Sequence, residues 1–269
     1  MKKNLQSRIP ELDVARGIAV ILMMADHVMF DLWGIMPELF DGFADSPVSL
    51  FAHDYWVWDV RIWVRFGVLA VFMLLVGICC SLSRSNLLRG AKLMGVAVLL
   101  TLATFAVGKV IGDRDITITF GVLHCIALAL ILIGICEKFI KSGWVYLAVG
   151  AVMVTVGALL YPHATYVHYG SENLFVLIAK QIVGVCECGG DCFPLFLFGG
   201  QIFIGVFLGK LLYAGKKSVF KAPSYPRSLP GRFVCFVGRN SLIVYFAHQV
   251  IIPVLLAAIL LICGYKISL

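Results

Sequence analysis

Charged residues are scarce in this chain. They make up 14% of its 269 residues, against about 25% in a soluble domain, while hydrophobic residues reach 61%. Folded in water, such a chain would have too little polar surface to cover its core. The composition excludes a soluble globular domain and predicts one membrane-embedded domain over residues 1–269.

An internal repeat, low-complexity sequence and the histidine spacings of zinc sites, such as HxxxH or HxxE, are also missing. Transporters often carry repeats and zinc enzymes use such spacings, so neither class is favoured and no metal is expected. The basic N-terminus before an apolar run is typical of a signal peptide. Because no small-residue cleavage site follows, we expect that run to be retained as the first span.

Several apolar segments reach the length of about 20 residues that a membrane-crossing helix needs. They are residues 14–35, 61–82, 91–111, 116–136, 143–161, 193–213 and 233–262. Another apolar stretch, 174–186, is too short to cross and is typical of a re-entrant or interfacial helix. The predicted fold is all-α, a polytopic transmembrane helical bundle of about seven spans plus this short helix.

Basic residues are concentrated in alternate loops. With the N-terminus inside, sixteen of the 22 lysines and arginines lie on the cytoplasmic side and six on the other. This bias follows the positive-inside rule, and an odd number of spans then places the C-terminus outside. The net charge of +7 therefore reports membrane topology, and no nucleic-acid partner is expected.

Histidines stand inside three different spans. At a helix rise of about 1.5 Å per residue, His27, His124 and His248 are all predicted to lie in the middle to outer half of the membrane. His27 and Asp31 are four residues apart, share a helix face and can act as a base and its orienting carboxylate. Ionisable residues inside spans are functional by default; hydrogen bonding between packed helices is the alternative.

Two arginines lie at the cytoplasmic ends of spans. Arg16 belongs to the first span and Arg239 to the last, where Asn240 and Ser241 follow it. Guanidinium groups bind phosphate well, so these residues are candidates for holding a phosphorylated cytosolic donor. Reaching to the lipid headgroups is the alternative for both arginines.

The loop between the first two spans, residues 36–60, is acidic and aromatic and contains His53. Arg61 and Arg65 follow it, one helical turn apart. We expect them to form structural ion pairs with one of three carboxylates, Asp54, Asp59 or Asp31, and substrate binding is the alternative.

Three of the nine cysteines lie together in a loop predicted to be extracytoplasmic. Cys186, Cys188 and Cys192 match no metal-ligand spacing, and their odd number prevents complete pairing. One disulfide with a free third thiol and an accidental cluster both remain open.

Two classes of function fit these features. Histidines within the membrane and a basic cytoplasmic patch suit transfer of a group from a cytosolic phosphate-bearing donor to an acceptor beyond the membrane. A polytopic transporter or lipid-linked sugar flippase without chemistry is the alternative, because it too would need buried ionisable residues.

Five stretches, in order, resemble the heparan-α-glucosaminide N-acetyltransferase catalytic-domain family, which includes bacterial membrane proteins. They are ELDVARGIAVILMMADHVMFDL (11–32), FMLLVGICCSLSRS (72–85), ITFGVLHCIALALIL (118–132), GDCFPLFLFGGQIFIGVFLGKLL (190–212) and FVGRNSLIVYFAHQVIIP (236–253). The fourth departs from the family at Phe198, where a tryptophan is common. The resemblance covers essentially the whole chain.

The resemblance implies an acyl-CoA-dependent N- or O-acyltransferase that uses acetyl-CoA or another acyl-CoA. It implies His27 as base or acyl acceptor with Asp31 orienting it, His53 as the competing histidine and His248 as a supporting group. The donor-binding residues would be Arg16, Arg239, Asn240, Ser241 and His124.

A bacterial inner (plasma) membrane location with a cytoplasmic N-terminus follows from the same resemblance together with the loop charges. The expected partners are a glycan or amino-sugar acceptor and membrane lipid, with a homodimer as one assembly. A degenerate family member that acts only as a partner of another membrane protein is a further alternative.

Overall fold

The computed structural model describes residues 9–220 and 228–268. In these ranges seven helices are long and apolar enough to cross a membrane, and the prediction of an all-α bundle is confirmed. The helices are α1 (Pro10–Phe30), α2 (Met36–Leu39), α3 (Pro47–Val57), α4 (Asp59–Leu82), α5 (Asn86–Ile111), α6 (Val122–Phe139), α7 (Gly143–Leu160), α8 (Leu174–Val183), α9 (Gly200–Leu212), α10 (Leu229–Arg239) and α11 (Ser241–Ile262). Two-residue strands β1 (Thr165–Tyr166) and β2 (Cys186–Glu187) pair in parallel.

Two predicted spans begin in the wrong place. The fourth was expected from residue 116, but α6 begins at Val122 after a 3-10 turn over Arg114–Ile116 and an extended segment. The seventh was expected over 233–262 as one helix, but the chain breaks at Asn240 between α10 and α11. Because both sides of this break are apolar, hydropathy alone merges them.

The chain forms two compact units, Met1–Phe72 with Phe220–Leu269 and Met73–Val219, and a single domain over 1–269 stays a prediction. Some of the basic residues assigned to the cytoplasmic side lie outside the described residues: Lys2, Lys3, Arg8, Lys221 and Arg227.

In the first unit α10 packs along the start of α1. A Cβ atom at Gly17 would lie 2.1 Å from the carbonyl oxygen of Val234, and one at Gly238 would lie 1.9 Å from that of Asp13. Because later residues of α10 meet earlier residues of α1, the two helices run antiparallel. Glycine is required at both positions for the backbones to approach so closely.

The far ends of α1 and α11 lie on the same side of the first unit. Phe40 forms an antiparallel bridge with Ile267, and the Asp41 amide donates to the Lys266 carbonyl oxygen at 3.0 Å. An apolar cluster lies beneath this contact: Met36, Phe40, Phe43 and Leu260. Parallel first and last spans are the arrangement expected for an odd number of crossings.

In the second unit α5 packs on α6 and α7 on α9. Helix α4 reaches α9 through another close crossing, because a Cβ atom at Gly77 would lie 2.0 Å from the carbonyl oxygen of Ile202. The short helix α8 has the length expected for the non-crossing segment and ends at Gly184, whose φ of 95° is left-handed.

The three clustered cysteines are thiols, as are the other six, all of which lie in the described ranges. Cys186 and Cys188 are buried against Leu177. Burial raises the pKa of the Cys188 thiol to about 11 and that of Cys192 to about 12, so both stay protonated at neutral pH. The disulfide that the sequence left open is not formed.

Replacing Gly238 with leucine is expected to destabilise the protein, because the new side chain collides with the backbone of α1 at Asp13. Overpacking costs about 1–3 kcal/mol, and a backbone collision belongs at the upper end. Thermal unfolding followed by circular dichroism in detergent should give a clearly lower midpoint for Gly238→Leu. Gly67→Leu is the matched control, since open space surrounds Gly67; equal midpoints for the two variants would contradict the packing.

Candidate functional site

His27 lies on α1 and is held by the backbone of its own helix. Its Nδ1 atom lies 2.8 Å from the carbonyl oxygen of Met23. Because a carbonyl oxygen can only accept a hydrogen bond, Nδ1 must carry a proton. In the neutral ring the lone pair is therefore on Nε2, which leaves that nitrogen as the basic atom.

His248, on α11, repeats this arrangement. Its Nδ1 atom lies 3.2 Å from the carbonyl oxygen of Val244, so its lone pair is also on Nε2. The side chain is 3% exposed, and among the described residues Nε2 has no hydrogen-bond partner. Buried polar atoms are nearly always paired, so this nitrogen is suited to receive a donor group from a ligand.

The two imidazoles touch. Their ring centroids are 5.0 Å apart in an edge-to-face contact, and the Tyr245 ring packs 5.7 Å from His248. The sequence predicted that His27 and His248 share one level, and the structure brings them together. Because α11 begins at Ser241, His248 lies about 10 Å along its helix at about 1.5 Å per residue, and its depth in the membrane stays a prediction.

Asp31 does not orient His27 as predicted. Among the described residues no hydrogen bond joins the two side chains, and the Met23 carbonyl takes the orienting role. Asp31 is buried and begins a π-helical turn, Asp31–Ile35, that interrupts the regular helix. Such turns are frequent at functional sites.

Asp26 is the residue that the sequence interpretation missed. Arg61 donates to both of its carboxylate oxygens at 2.7 Å, and the Tyr55 hydroxyl donates to one of them at 3.1 Å. The predicted partners of Arg61 were therefore wrong. Arg61 is 5% exposed, and a buried guanidinium needs a carboxylate that is also shielded from water. Asp26, an ionisable residue inside a span, was the available signal.

The same arginine packs against an aromatic ring of α3. Its Cζ atom lies 3.6 Å from the centroid of Trp56, which stacks on Trp33 at 5.5 Å. The His53 ring lies 5.8 Å from Trp33 and is exposed. Burial, followed by the charge of Asp26, raises the pKa of Tyr55, so its hydroxyl remains a donor. These contacts fasten α3 to α1 at the level of His27.

The Arg16 guanidinium contacts other residues of the first unit. Nη1 donates to the Gly238 carbonyl oxygen at 3.3 Å and lies 3.7 Å from the Asp13 carboxylate. The Asn240 amide donates to the Phe236 carbonyl oxygen at 2.9 Å at the bend before Ser241. The structure thus gathers Arg16 and the Arg239–Ser241 bend beside α10, with contacts that also stabilise the helices. Donor binding by these residues stays a prediction.

His124 lies in the second unit, and both of its ring nitrogens are engaged. Nδ1 accepts from the Gly121 amide at 3.3 Å, and Nε2 lies 3.2 Å from the Thr101 hydroxyl. The Thr101 hydroxyl donates to the Ile118 carbonyl oxygen, so it accepts the proton of Nε2. These bonds cap the start of α6 and leave neither ring nitrogen for the predicted donor contact.

A model of the family described as "Heparan-alpha-glucosaminide N-acetyltransferase, catalytic" matches residues 8–250. The match spans most of the 269 residues, contains both His27 and His248, and confirms the resemblance predicted from the sequence. No curated protein and no solved structure matches the chain.

Arg61→Gln is expected to lower stability strongly, because it leaves the Asp26 carboxylate without a partner. Breaking a buried ion pair costs about 3–5 kcal/mol, whereas Asp26→Asn/Arg61→Gln removes both charges and should recover most of the loss. The thermal unfolding midpoints of the wild type, Arg61→Gln and the double variant measure the loss of stability and its recovery. Arg65→Gln, an exposed change one turn along α4, should stay near the wild type. An Arg61→Gln midpoint equal to that of Arg65→Gln would be incompatible with the pair.

Proposed function

The chain belongs to the heparan-alpha-glucosaminide N-acetyltransferase catalytic family, and on that premise we propose that it is an acyl-CoA-dependent membrane acyltransferase. The family match indicates a membrane acetyltransferase. The finer proposal is that an acetyl or other acyl group passes from cytosolic acyl-CoA to the amine or hydroxyl of an extracytoplasmic sugar.

One observation carries the proposal: the His27–His248 pair. Each ring has its Nδ1 proton held by a carbonyl oxygen of its own helix, and the two rings meet at 5.0 Å. Fixing the tautomer and orientation of a base before the substrate arrives is what general base catalysis needs. A transporter needs no basic nitrogen fixed in this way.

In the proposed reaction His27 acts as the base. As the acceptor nitrogen or oxygen attacks the thioester carbonyl carbon, Nε2 of His27 takes its proton. The new C–N or C–O bond forms, the C–S bond breaks, and the proton passes to the CoA thiolate. His248 supports the reaction by accepting a hydrogen bond from the acceptor through its own Nε2.

A covalent route uses the same nitrogen. Nε2 of His27 attacks the thioester carbonyl carbon, the C–S bond breaks and CoA leaves as the thiolate. The acyl group then moves from the imidazole to the acceptor, whose proton passes to the thiolate. Mass spectrometry of the peptide that contains His27, after quenching with donor alone, separates the routes. Only the covalent route gives an acylated histidine.

His53 is the competing candidate for the base. It is exposed on α3 with its ring against Trp33 and lies 3.7 Å from the Asp54 carboxylate. Both His53 and Asp54 are exposed, whereas Nδ1 of His27 is held by the Met23 carbonyl oxygen, so we assign the base to His27.

The donor is proposed to approach from the cytoplasm, where Arg16 and the Arg239–Ser241 bend would contact the CoA phosphates. The proposal includes a location in the bacterial inner membrane and a cytoplasmic N-terminus, and the loop charges favour that orientation. The acceptor would be a glycan or amino sugar on the far side, with membrane lipid around the bundle and a homodimer as one assembly.

Replacing His27 with alanine is expected to lower the turnover number by about 10²–10⁴-fold, the usual contribution of a general base. The purified protein in nanodiscs is given radiolabelled acetyl-CoA and an amino-sugar acceptor, and labelled sugar is measured by chromatography. The matched control is His163→Ala, which removes an exposed histidine of the second unit and should leave turnover unchanged.

Turnover at the wild-type rate in His27→Ala would overturn the assignment of the base. Loss of turnover in His53→Ala together with partial turnover in His27→Ala would transfer the role to His53. Unfolding is monitored by circular dichroism in each variant, so a collapsed protein is not mistaken for an inactive one.

A further inference from the structure

The turn between α4 and α5 forms an open cavity of about 210 Å³. Its lining combines cationic and hydroxyl side chains with one apolar side chain: Ser83, Arg84, Ser85, Leu88, Arg89 and Lys92. Three of these carry a full positive charge and none is a carboxylate. A cavity lined in this way attracts an anion rather than a neutral or cationic molecule.

Arg89 is held in place by a buried network. Its Nη1 atom donates to the Asn86 side-chain oxygen at 3.2 Å and to the Cys79 carbonyl oxygen at 3.5 Å. Asn86 is 2% exposed, and its amide nitrogen lies 3.0 Å from both carboxylate oxygens of Glu137. Glu137 is thus bonded to Asn86, and the remaining donors of the Arg89 guanidinium are available to a ligand.

The start of α5 adds to the positive field. Ser85 caps the helix by accepting from the Leu88 amide at 3.2 Å. The amides of Asn86 and Leu87 belong to the same first turn of a 26-residue helix. Amides at a helix start carry partial positive charge and favour a nearby anion.

We propose that this cavity binds a phosphate group. Arg89 supplies the fixed, planar guanidinium that phosphate oxygens prefer. Arg84 and Lys92 supply further charge, and Ser83 supplies a hydroxyl donor. The phosphate can belong to the headgroup of an anionic phospholipid or to a soluble phosphate ester, since both present the same oxygens to these donors.

This site does not depend on the acyl transfer proposed above. It lies within the second unit, whereas the histidine pair lies in the first, and its test measures binding rather than turnover. If acyl transfer is not detected but phosphate binding is, only the proposed function fails. If phosphate binding is not detected but acyl transfer is, only the phosphate site fails.

The test uses the full-length protein in a maltoside detergent, which contains no phosphate. In the soluble arm, equilibrium dialysis measures ³²P-labelled glycerol 3-phosphate, which lacks the nucleotide of CoA, and competition by inorganic phosphate. In the lipid arm, native mass spectrometry measures retention of phosphatidylglycerol against a phosphate-free galactolipid. Saturable binding is expected in at least one arm, and the arm that responds identifies the source of the phosphate.

The double variant Arg84→Gln/Lys92→Gln should weaken this binding by about tenfold or more, because two of the charges that contact the ligand are lost. The matched control, Lys109→Gln/Arg114→Gln, removes two charges near the opposite end of α5 and should change binding less than about twofold, by the screening of distant charges. Absence of saturable binding in both arms overturns the proposal. So does equal binding by wild type and the first variant, or equal weakening in both variants.

Discussion

The ion pair between Asp26 and Arg61 is the contact on which the first unit depends. Within a bilayer neither charge can be satisfied by water, and each becomes tolerable only beside the other. The two hydrogen bonds at 2.7 Å join the start of α4 to α1 one residue before His27, and Trp56 packs over the same guanidinium. The position of α3 against α1 near His27 follows from this pairing.

Hydropathy was sufficient to predict the number and approximate bounds of the spans, because apolar length is what a bilayer requires. It could not find the break at Asn240, where FVCFVGR and SLIVYF are both compatible with a buried helix. Nor could hydropathy predict the partner of Arg61, because it does not determine the rotation of a helix about its axis. Asp26 could have been predicted as the partner of Arg61, because a carboxylate inside a span needs a cation beside it.

The candidate site could be predicted only in part, because the sequence shows which ionisable residues lie inside spans but not which atoms they contact. His27 and His248 attract attention as ionisable residues inside spans, and both lie within residues 8–250, which the family model matches. Two features that support the proposed role of His27 as a base are less visible in sequence: the Met23 carbonyl that fixes its tautomer and the π-helical turn at Asp31. His124 is the opposite case: it too lies in an apolar span, but its ring nitrogens are used to cap the start of α6.

In the proposed function, transfer of an acyl group, and not passage of a solute, links the two sides of the membrane. The most direct measurement seals the protein in proteoliposomes with amino sugar enclosed and supplies radiolabelled acetyl-CoA outside, with the cytoplasmic face outward. Our account predicts labelled acetyl groups covalently attached to the enclosed sugar while CoA accumulates outside. Unmodified sugar that crosses the membrane with no labelled product would contradict it.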